Sequence, residues 1–463
     1  MSIQKTITPV DGSVYCEREL ASDSDLDTVL QRAVAAQRAW RRSDLVTRAG
    51  ICRRFCDAFE ARRSEIALEL AWQMGRPIRY APSEVNGTLE RARYMIDIAA
   101  GALADVDAGP KEGFRRFVRR EPLGVVFTVA AWNYPYLIAV NSVVPAIMAG
   151  NAVVLKHSAQ TPLCAERFAD CFREAGLPEG VFQAIHLSHA TTERAIRDPR
   201  VDFVAFTGSV AGGHAVQRAA SERFIGTGLE LGGCDPAYVR HDANLAHAVE
   251  SLVDGAYFNS GQSCCGIQRI YVHERLYDDF VAGAVELTSR YVLGDPTLPE
   301  TTLGPVVRTA AAEQIRRQVA ASIAAGAVAT IDESKFTRSA EGTPYLAPQL
   351  LLGVDHDMPV MREEIFGPVA GVMKVAGDDE AIALMNDSDF GLTAAVWTAD
   401  VEAGLALGER IETGTFFMNR CDYLDPALAW VGVKDSGRGC TLSRVGYEHL
   451  TRPKSFHLRL RTE

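Results

Sequence analysis

Two adjacent cysteines, Cys264 and Cys265, stand in the stretch 258–269, which reads F-N-S-G-Q-S-C-C-G-I-Q-R. The turn-forming residues Asn259, Ser260 and Gly261 precede them. A helical run over 245–257 leads in and a β-like run over 269–273 leads out. A thiol at such a junction can point out of the scaffold with backbone N–H groups close by. Those are the requirements of a thiolate nucleophile that also stabilises an oxyanion. Two small buried residues would suit the same positions, since free cysteine is among the most buried residue types.

Other residues with chemical potential lie at a distance from this loop. Glu230 stands in Leu229-Glu230-Leu231-Gly232-Gly233, and Asn133 in Trp132-Asn133-Tyr134-Pro135. Lys156 follows an apolar run, and Phe206-Thr207-Gly208-Ser209 and Glu363-Glu364-Ile365-Phe366-Gly367-Pro368 complete the set. Together with Gly261-Gln262-Ser263-Cys264, these six motifs resemble, in kind and in order, those of the aldehyde dehydrogenase superfamily. The resemblance spans almost the whole chain. It implies Cys264 as nucleophile, Glu230 as general base and Asn133 as oxyanion donor beside the backbone N–H of Cys264. Structural roles exist for each: Asn133 as a turn residue before Pro135, Glu230 as a solvated glutamate at a strand end.

Composition sets limits on the rest. A chain of 463 residues accommodates two or three domains with sizeable cores. Its 47% hydrophobic and 23% charged residues are ordinary for a globular protein. The formal net charge of −11, with no basic stripe, speaks against nucleic acid or an anionic membrane as partner. The ten cysteines show no metal-ligand spacing, so no metal is expected. With no secretory signal, they point to reduced thiols and a cytoplasmic protein. No apolar run is long enough to span a membrane.

The elements that must position these residues follow from periodicity. Four helices fill the first hundred residues, the first capped by Ser22-Asp23, the third stopped at Gly75-Arg76-Pro77, the fourth running from Pro82 to about Val106. No chemistry is assigned to them. From Gly124 the pattern alternates: strand 125–130, helix 136–148, strand 152–155, helix 163–174, strand 181–185, helix 191–197, strand 203–206, helix 212–220. Such alternation predicts a parallel, doubly wound α/β sheet whose ligand crevice lies at the strand carboxyl ends. Trp132-Asn133, Lys156 and Gly208-Ser209 each fall just after a strand. A second alternation runs through helix 245–257, strand 269–273, helix 276–291, 369–375, 381–385, 393–397 and 415–419. The fold class is thus two doubly wound α/β domains with a cleft between them. By the resemblance, residues 1–107 and 124–232 form the NAD(P)-binding domain and 233–435 the catalytic domain. Segments 108–123 and 436–463, strand-like over 113–122 and 454–460, form an oligomerisation arm. A homodimer or homotetramer is the expected assembly.

No G-x-G-x-x-G follows a strand. The looser turn Gly208-Ser209-Val210-Ala211-Gly212-Gly213 opens a helix instead, offering free N–H groups and partial positive charge to a pyrophosphate. The resemblance implies a dinucleotide there. It places Lys156 on the adenosine ribose and Glu364 on the nicotinamide ribose, with Trp132, Ser158, Gly208, Ser209, Gly213, Leu231 and Phe366 around the cofactor. Where many NAD-using members read K-P-x-E, this chain reads Lys156-His157-Ser158-Ala159, with alanine in place of the carboxylate that grips the 2′-hydroxyl. That carboxylate also repels a 2′-phosphate, so the expected cofactor is NADP or NAD, with NADP accepted at least as well. His157 is a possible further charge, and Ser158 a possible donor to a phosphate oxygen.

The reaction implied is oxidation of a small-molecule aldehyde to a carboxylic acid through a cysteine thiohemiacetal and thioester. Tyr134, Leu137, Asn141, Ser263, Cys265, Arg420, Asp422 and Trp430 are expected around the substrate. Relatives acting on aldehydes with a terminal carboxylate often carry arginine at the position of Asn141, which argues against succinic semialdehyde, although Lys156-His157 and Gly233-Cys234-Asp235-Pro236 resemble a branch of the family where that substrate occurs. A CoA-acylating enzyme and a non-enzymatic binding or structural protein remain alternatives. The first generally lacks the glutamate of Glu230; the second is expected to lose one of Cys264, Asn133 and Glu230. Two other departures are Val431 for the first glycine of a late G-G-x-K-x-S-G motif, and Cys234 where lysine usually follows L-E-L-G-G.

Overall fold

A computed structural model describes residues 2–462. Met1 and Glu463, the outermost residues of the ranges above, lie outside the described residues. The first sheet has six strands. Its centre is Val125–Val129, flanked by Ala152–Lys156 and Phe182–Ala184 on one side and by Phe203–Thr207 and Gly226–Glu230 on the other. All these pairings are parallel. The order reverses between Val125–Val129 and Phe203–Thr207, which opens a crevice at their carboxyl ends. Helices cover both faces, with Leu26, Leu30 and Val216 in one core and Phe55, Phe59 and Phe168 in the other.

The second sheet has seven strands, with Asp235–Val239, Ile267–His273, Val369–Val375, Gln349–Leu352, Thr393–Trp397 and Thr415–Met418 in parallel. It too is packed on both faces. The third sheet pairs Phe114–Pro122 along its whole length with Thr451–Arg459, and Phe117 stacks on Phe456 at 4.6 Å. Among the described residues no helix is long and apolar enough to cross a membrane.

Local chemistry accounts for the boundaries. Ser22 caps helix Asp23–Trp40 in a capping box with Asp25. Gly75 (φ 84°) ends helix Arg63–Met74 in the left-handed conformation glycine tolerates. The fourth helix, Pro82–Ala102, stops short of the expected Val106, because Val106–Asp107 pairs with Val118 and Phe117 at the edge of the third sheet. Strands Gly226–Glu230 and Asp235–Val239 escape periodicity because they carry strand-disfavouring Gly and Pro. Pro236 sits in a central strand at a register shift, where the bulge removes the need for its missing N–H. Gly437–Arg438 adds an antiparallel edge to the first sheet beside Glu230, so the last segment serves that sheet before reaching the arm.

Candidate active site

Cys264 follows helix Leu245–Tyr257 and a 3-10 turn over Phe258–Gly261. Asn259 (φ 54°), Ser260 (φ 57°) and Gly261 (φ 70°) are left-handed in succession. The two non-glycine residues among them need outside support, and side chains supply it. Asn259 Nδ2 donates to Asn133 O and Gln262 O, both at 3.1 Å, and Ser260 Oγ donates to Gly304 O at 2.8 Å. Gln262 donates to Asn259 O at 3.1 Å and accepts from Val307 N at 2.7 Å. The glutamine of the motif therefore holds the loop.

Beneath the loop lies a buried ion pair that periodicity did not reveal. Arg76, 1% exposed, pairs with Glu84. It also donates to Asn133 O at 2.6 Å and to Asn259 Oδ1 at 3.1 Å, and lies 4.6 Å over the Tyr134 ring. Glu84 in turn accepts from the N–H groups of Tyr136 and Leu137 at 2.9 and 3.1 Å, the first turn of helix Pro135–Ala149. One pair thus joins the first helices, the Asn133 turn and the Cys264 loop. The Asn133 carbonyl takes both Arg76 and Asn259, its side-chain amide has no protein partner among the described residues, and Asn133 borders a cavity together with Cys264.

Two cavities meet at Cys264 and Thr207. The first, about 300 Å³, is bordered by Trp132, Asn133, Gly208, Ser209, Leu231, Glu364 and Phe366. The second, about 370 Å³, is bordered by Tyr134, Leu137, Asn141, Cys265, Asp422 and Trp430, with Glu230 on its wall. Cys264 is half-buried and Cys265 buried. Contact with the Cys264 sulfur, burial and the Asp422 carboxylate all push the Cys265 thiol well up; its Sγ donates to Asp422 Oδ1 at 2.9 Å. Of the neighbours, Cys264 is the one free to act.

Glu230 ends its strand with Oε1 accepting from Thr441 Oγ1 at 2.7 Å and Oε2 from Thr207 Oγ1 at 3.0 Å. Burial raises its pKa against those two hydroxyls, a direction suited to a base working near neutrality. Thr207 lies in a motif visible in the sequence, whereas Thr441 carries no local signal.

The residues of the first cavity fit a dinucleotide. Glu364 Oε1 accepts from Gly233 N at 3.1 Å, and a Cβ on Gly232 would stand 2.3 Å from Glu364 Oε2. Only glycine leaves room for this carboxylate, and burial lifts it to about 7. Phe366 (φ 53°) meets Trp132 edge-on at 5.6 Å. Ser209 caps helix Val210–Ala220. Gly213 does not border the cavity; a Cβ there would strike Leu231 at 2.7 Å, so it lets the helix close on Leu231. Lys156, Ser158 and Ala159 lie beyond the cavity, at the carboxyl end of the next strand. Lys156 has no ion-pair partner among the described residues, and burial lowers its pKa. Ala159 is exposed, and its carbonyl accepts from Thr6 Oγ1 at 2.8 Å.

Three of the expected residues are placed apart from the cavities or carry no charge. His157 supplies no charge: it is buried, burial lowers its pKa to about 4, and its Nδ1 accepts from Ser158 N at 3.0 Å. Ser263 does not border the second cavity and donates to Asp422 Oδ1 at 3.0 Å. Arg420 is exposed outside the cavity, its guanidinium 3.5 Å over Tyr423. Cys234 is a core thiol pushed up to about 12 by burial. Residues that escaped the sequence reading are Arg76, Glu84, Arg91, Asp254, Phe258 and Tyr423.

Comparison with known proteins extends these observations. Residues 2–456 match the model of the aldehyde dehydrogenase family. A succinate-semialdehyde dehydrogenase (NADP+) of Mycobacterium avium (strain 104) is 36% identical over 450 residues, covering 95% of this chain and 93% of that protein. The crystal structure of an NAD-dependent aldehyde dehydrogenase from Sinorhizobium meliloti superposes with a TM-score of 0.95 at 33% identity, covering 100% of this chain and 92% of that one. A succinic semialdehyde dehydrogenase from Streptococcus pyogenes in complex with NADP+ does so at 0.94 and 28%, covering 98% and 100%.

Proposed function

The chain belongs to the aldehyde dehydrogenase family, and from that premise we propose how its residues divide the oxidation of an aldehyde with NAD(P)+. Cys264 attacks the carbonyl carbon from the junction of the two cavities, forming a thiohemiacetal. The side-chain amide of Asn133 and the backbone N–H of Cys264 stabilise the oxyanion. Trp132, Gly208, Ser209, Leu231, Glu364 and Phe366 would hold a nicotinamide cofactor in the first cavity, where it would supply the hydride acceptor. Glu230 then takes a proton from the water that hydrolyses the resulting Cys264 thioester, and Thr207 and Thr441 orient its carboxylate. The observation that carries this reading is the meeting of both cavities at Cys264, with the buried Glu230 on the wall of one. Glu230 also favours water over CoA as acceptor.

Residues 1–107 and 124–232 serve the cofactor and 233–435 the nucleophile. The paired strands of 108–123 and 436–463 join subunits into a homodimer or homotetramer, which sedimentation of the native chain tests. For the cofactor, Ala159 offers neither grip nor repulsion at a 2′-substituent, and Lys156 is a cation without an ion-pair partner among the described residues. NADP is therefore accepted at least as well as NAD, as the name of the Mycobacterium avium relative also suggests. The deciding experiment incubates purified protein with NAD or NADP and a panel of aldehydes, with and without CoA. Acid formation independent of CoA is expected; acyl-CoA as sole product would overturn the hydrolytic reading. Ala159→Glu should move the kcat/KM ratio toward NAD.

A further inference from the structure

Arg91 projects from helix Pro82–Ala102 and is 8% exposed. Its Nη1 donates to Leu137 O at 3.0 Å and to Asn141 Oδ1 at 3.2 Å. Nε and Nη2 donate to no protein atom among the described residues, and the guanidinium borders the substrate cavity. The buried carboxylates whose charges act on it have other partners: Glu84 is taken by Arg76, and Glu230 by Thr207 and Thr441. Among the described residues Arg91 forms no ion pair. A buried cation without a counter-charge is costly, and buried charges are ordinarily paired. The open Nε–Nη2 edge matches a carboxylate held by two parallel hydrogen bonds.

We propose that Arg91 receives a terminal carboxylate on the aldehyde substrate, making the chain selective for short ω-oxo acids. The proposal rests on the assignment of Cys264 as nucleophile, which fixes the other end of the substrate. Asn141 then does not argue against such substrates. The cation comes from the neighbouring helix, and the Asn141 amide oxygen anchors it. Gly87, one turn before Arg91 on the same face, leaves room for the Leu137 side chain: a Cβ there would stand 2.8 Å from Leu137 Cδ2. The opposite sign is also present in the cavity, at Glu90, Asp254 and Asp422. Glu90 accepts from Tyr423 Oη at 2.9 Å, Asp422 accepts from Ser263 and Cys265, and burial favours protonation of Asp254 and Asp422. Arg91 is the group left with open donors.

The test compares three four-carbon aldehydes, 4-oxobutanoate, butanal and 4-aminobutanal, under identical conditions. The wild type should favour 4-oxobutanoate over butanal at least tenfold in kcat/KM, and Arg91→Gln should lower that ratio tenfold or more, with Arg91→Lys intermediate. Succinate should bind more tightly than butanoate by calorimetry, and Arg91→Gln should remove the difference. Equal use of butanal, preference for 4-aminobutanal, or a ratio unmoved by Arg91→Gln would overturn the proposal. If Arg91→Gln does not fold, Arg91→Lys and the wild-type comparison of succinate with butanoate decide. Oxidation of none of the three would overturn the reaction assigned to Cys264, and succinate binding would still decide on Arg91.

Discussion

The buried pair Arg76–Glu84 offers a perturbation whose two consequences can be separated. Arg76→Met removes the cation and leaves the carboxylate of Glu84, which is 0% exposed, without a counter-charge. Breaking a buried pair from one side costs about 3–5 kcal/mol. Combining Arg76→Met with Glu84→Gln removes the charge imbalance, since the amide oxygen of the substituted side chain can still accept from the N–H groups of Tyr136 and Leu137. The residual costs are Asn259 Oδ1, which loses its donor, and the amide N–H groups of the substituted residue 84, which gain no acceptor in place of Arg76, each at about 1–3 kcal/mol. Stability should therefore recover in part in the double variant. Turnover should not recover. The Asn133 turn and the left-handed Asn259 have still lost Arg76, and a misplacement of about 1 Å near reacting groups can cost about 100-fold. Urea unfolding measures the first effect; steady-state kcat/KM with the burst amplitude measures the second. A double variant regaining turnover together with stability would refute the positioning role and leave the pair a purely structural one.

Cys264→Ala should abolish both oxidation and active-site thiol labelling, whereas Cys265→Ala keeps most activity; equal losses would show that the nucleophile is misassigned. Glu230→Gln should preserve the single-turnover burst and slow thioester hydrolysis, so acyl-enzyme accumulates and is detected by mass spectrometry. An unchanged steady-state rate would rule out Glu230 as base. Glu364 is predicted to make the cofactor-free protein less stable as pH rises. Its folded pKa of about 7 exceeds the ordinary 4.5, so the native state holds a proton that the unfolded chain releases between those values. The stability contributed is fully present below about 4.5 and lost through about 7, amounting to about 3 kcal/mol. Glu364→Gln should flatten this slope in urea titrations, and an equal slope in both proteins would disprove the cause.

The reaction was legible in the sequence because the residues proposed to carry it sit in short local motifs that resemble those of the family. Gly261-Gln262-Ser263-Cys264 and Leu229 to Gly233 each place a reactive side chain beside the glycine or amide that its loop requires, so the order of motifs along the chain carried the chemistry. The alternation of apolar runs and helical segments likewise revealed the first sheet and the crevice at its carboxyl ends. Strands containing Gly226, Gly228 and Pro236 were hidden, since their stability comes from parallel neighbours and a bulge and not from their own preferences. His157 looked chargeable until burial and the donated N–H of Ser158 were seen to keep it neutral. Arg76 and Arg91 looked like polar residues on scaffold helices. Only packing of those helices against Asn133, Asn259 and Asn141, remote in sequence, turned one into the brace of the Cys264 loop and left the other with an open edge on the second cavity. Whether a buried arginine is satisfied depends on which acceptors the whole fold brings within about 3 Å of it, and no local pattern encodes that.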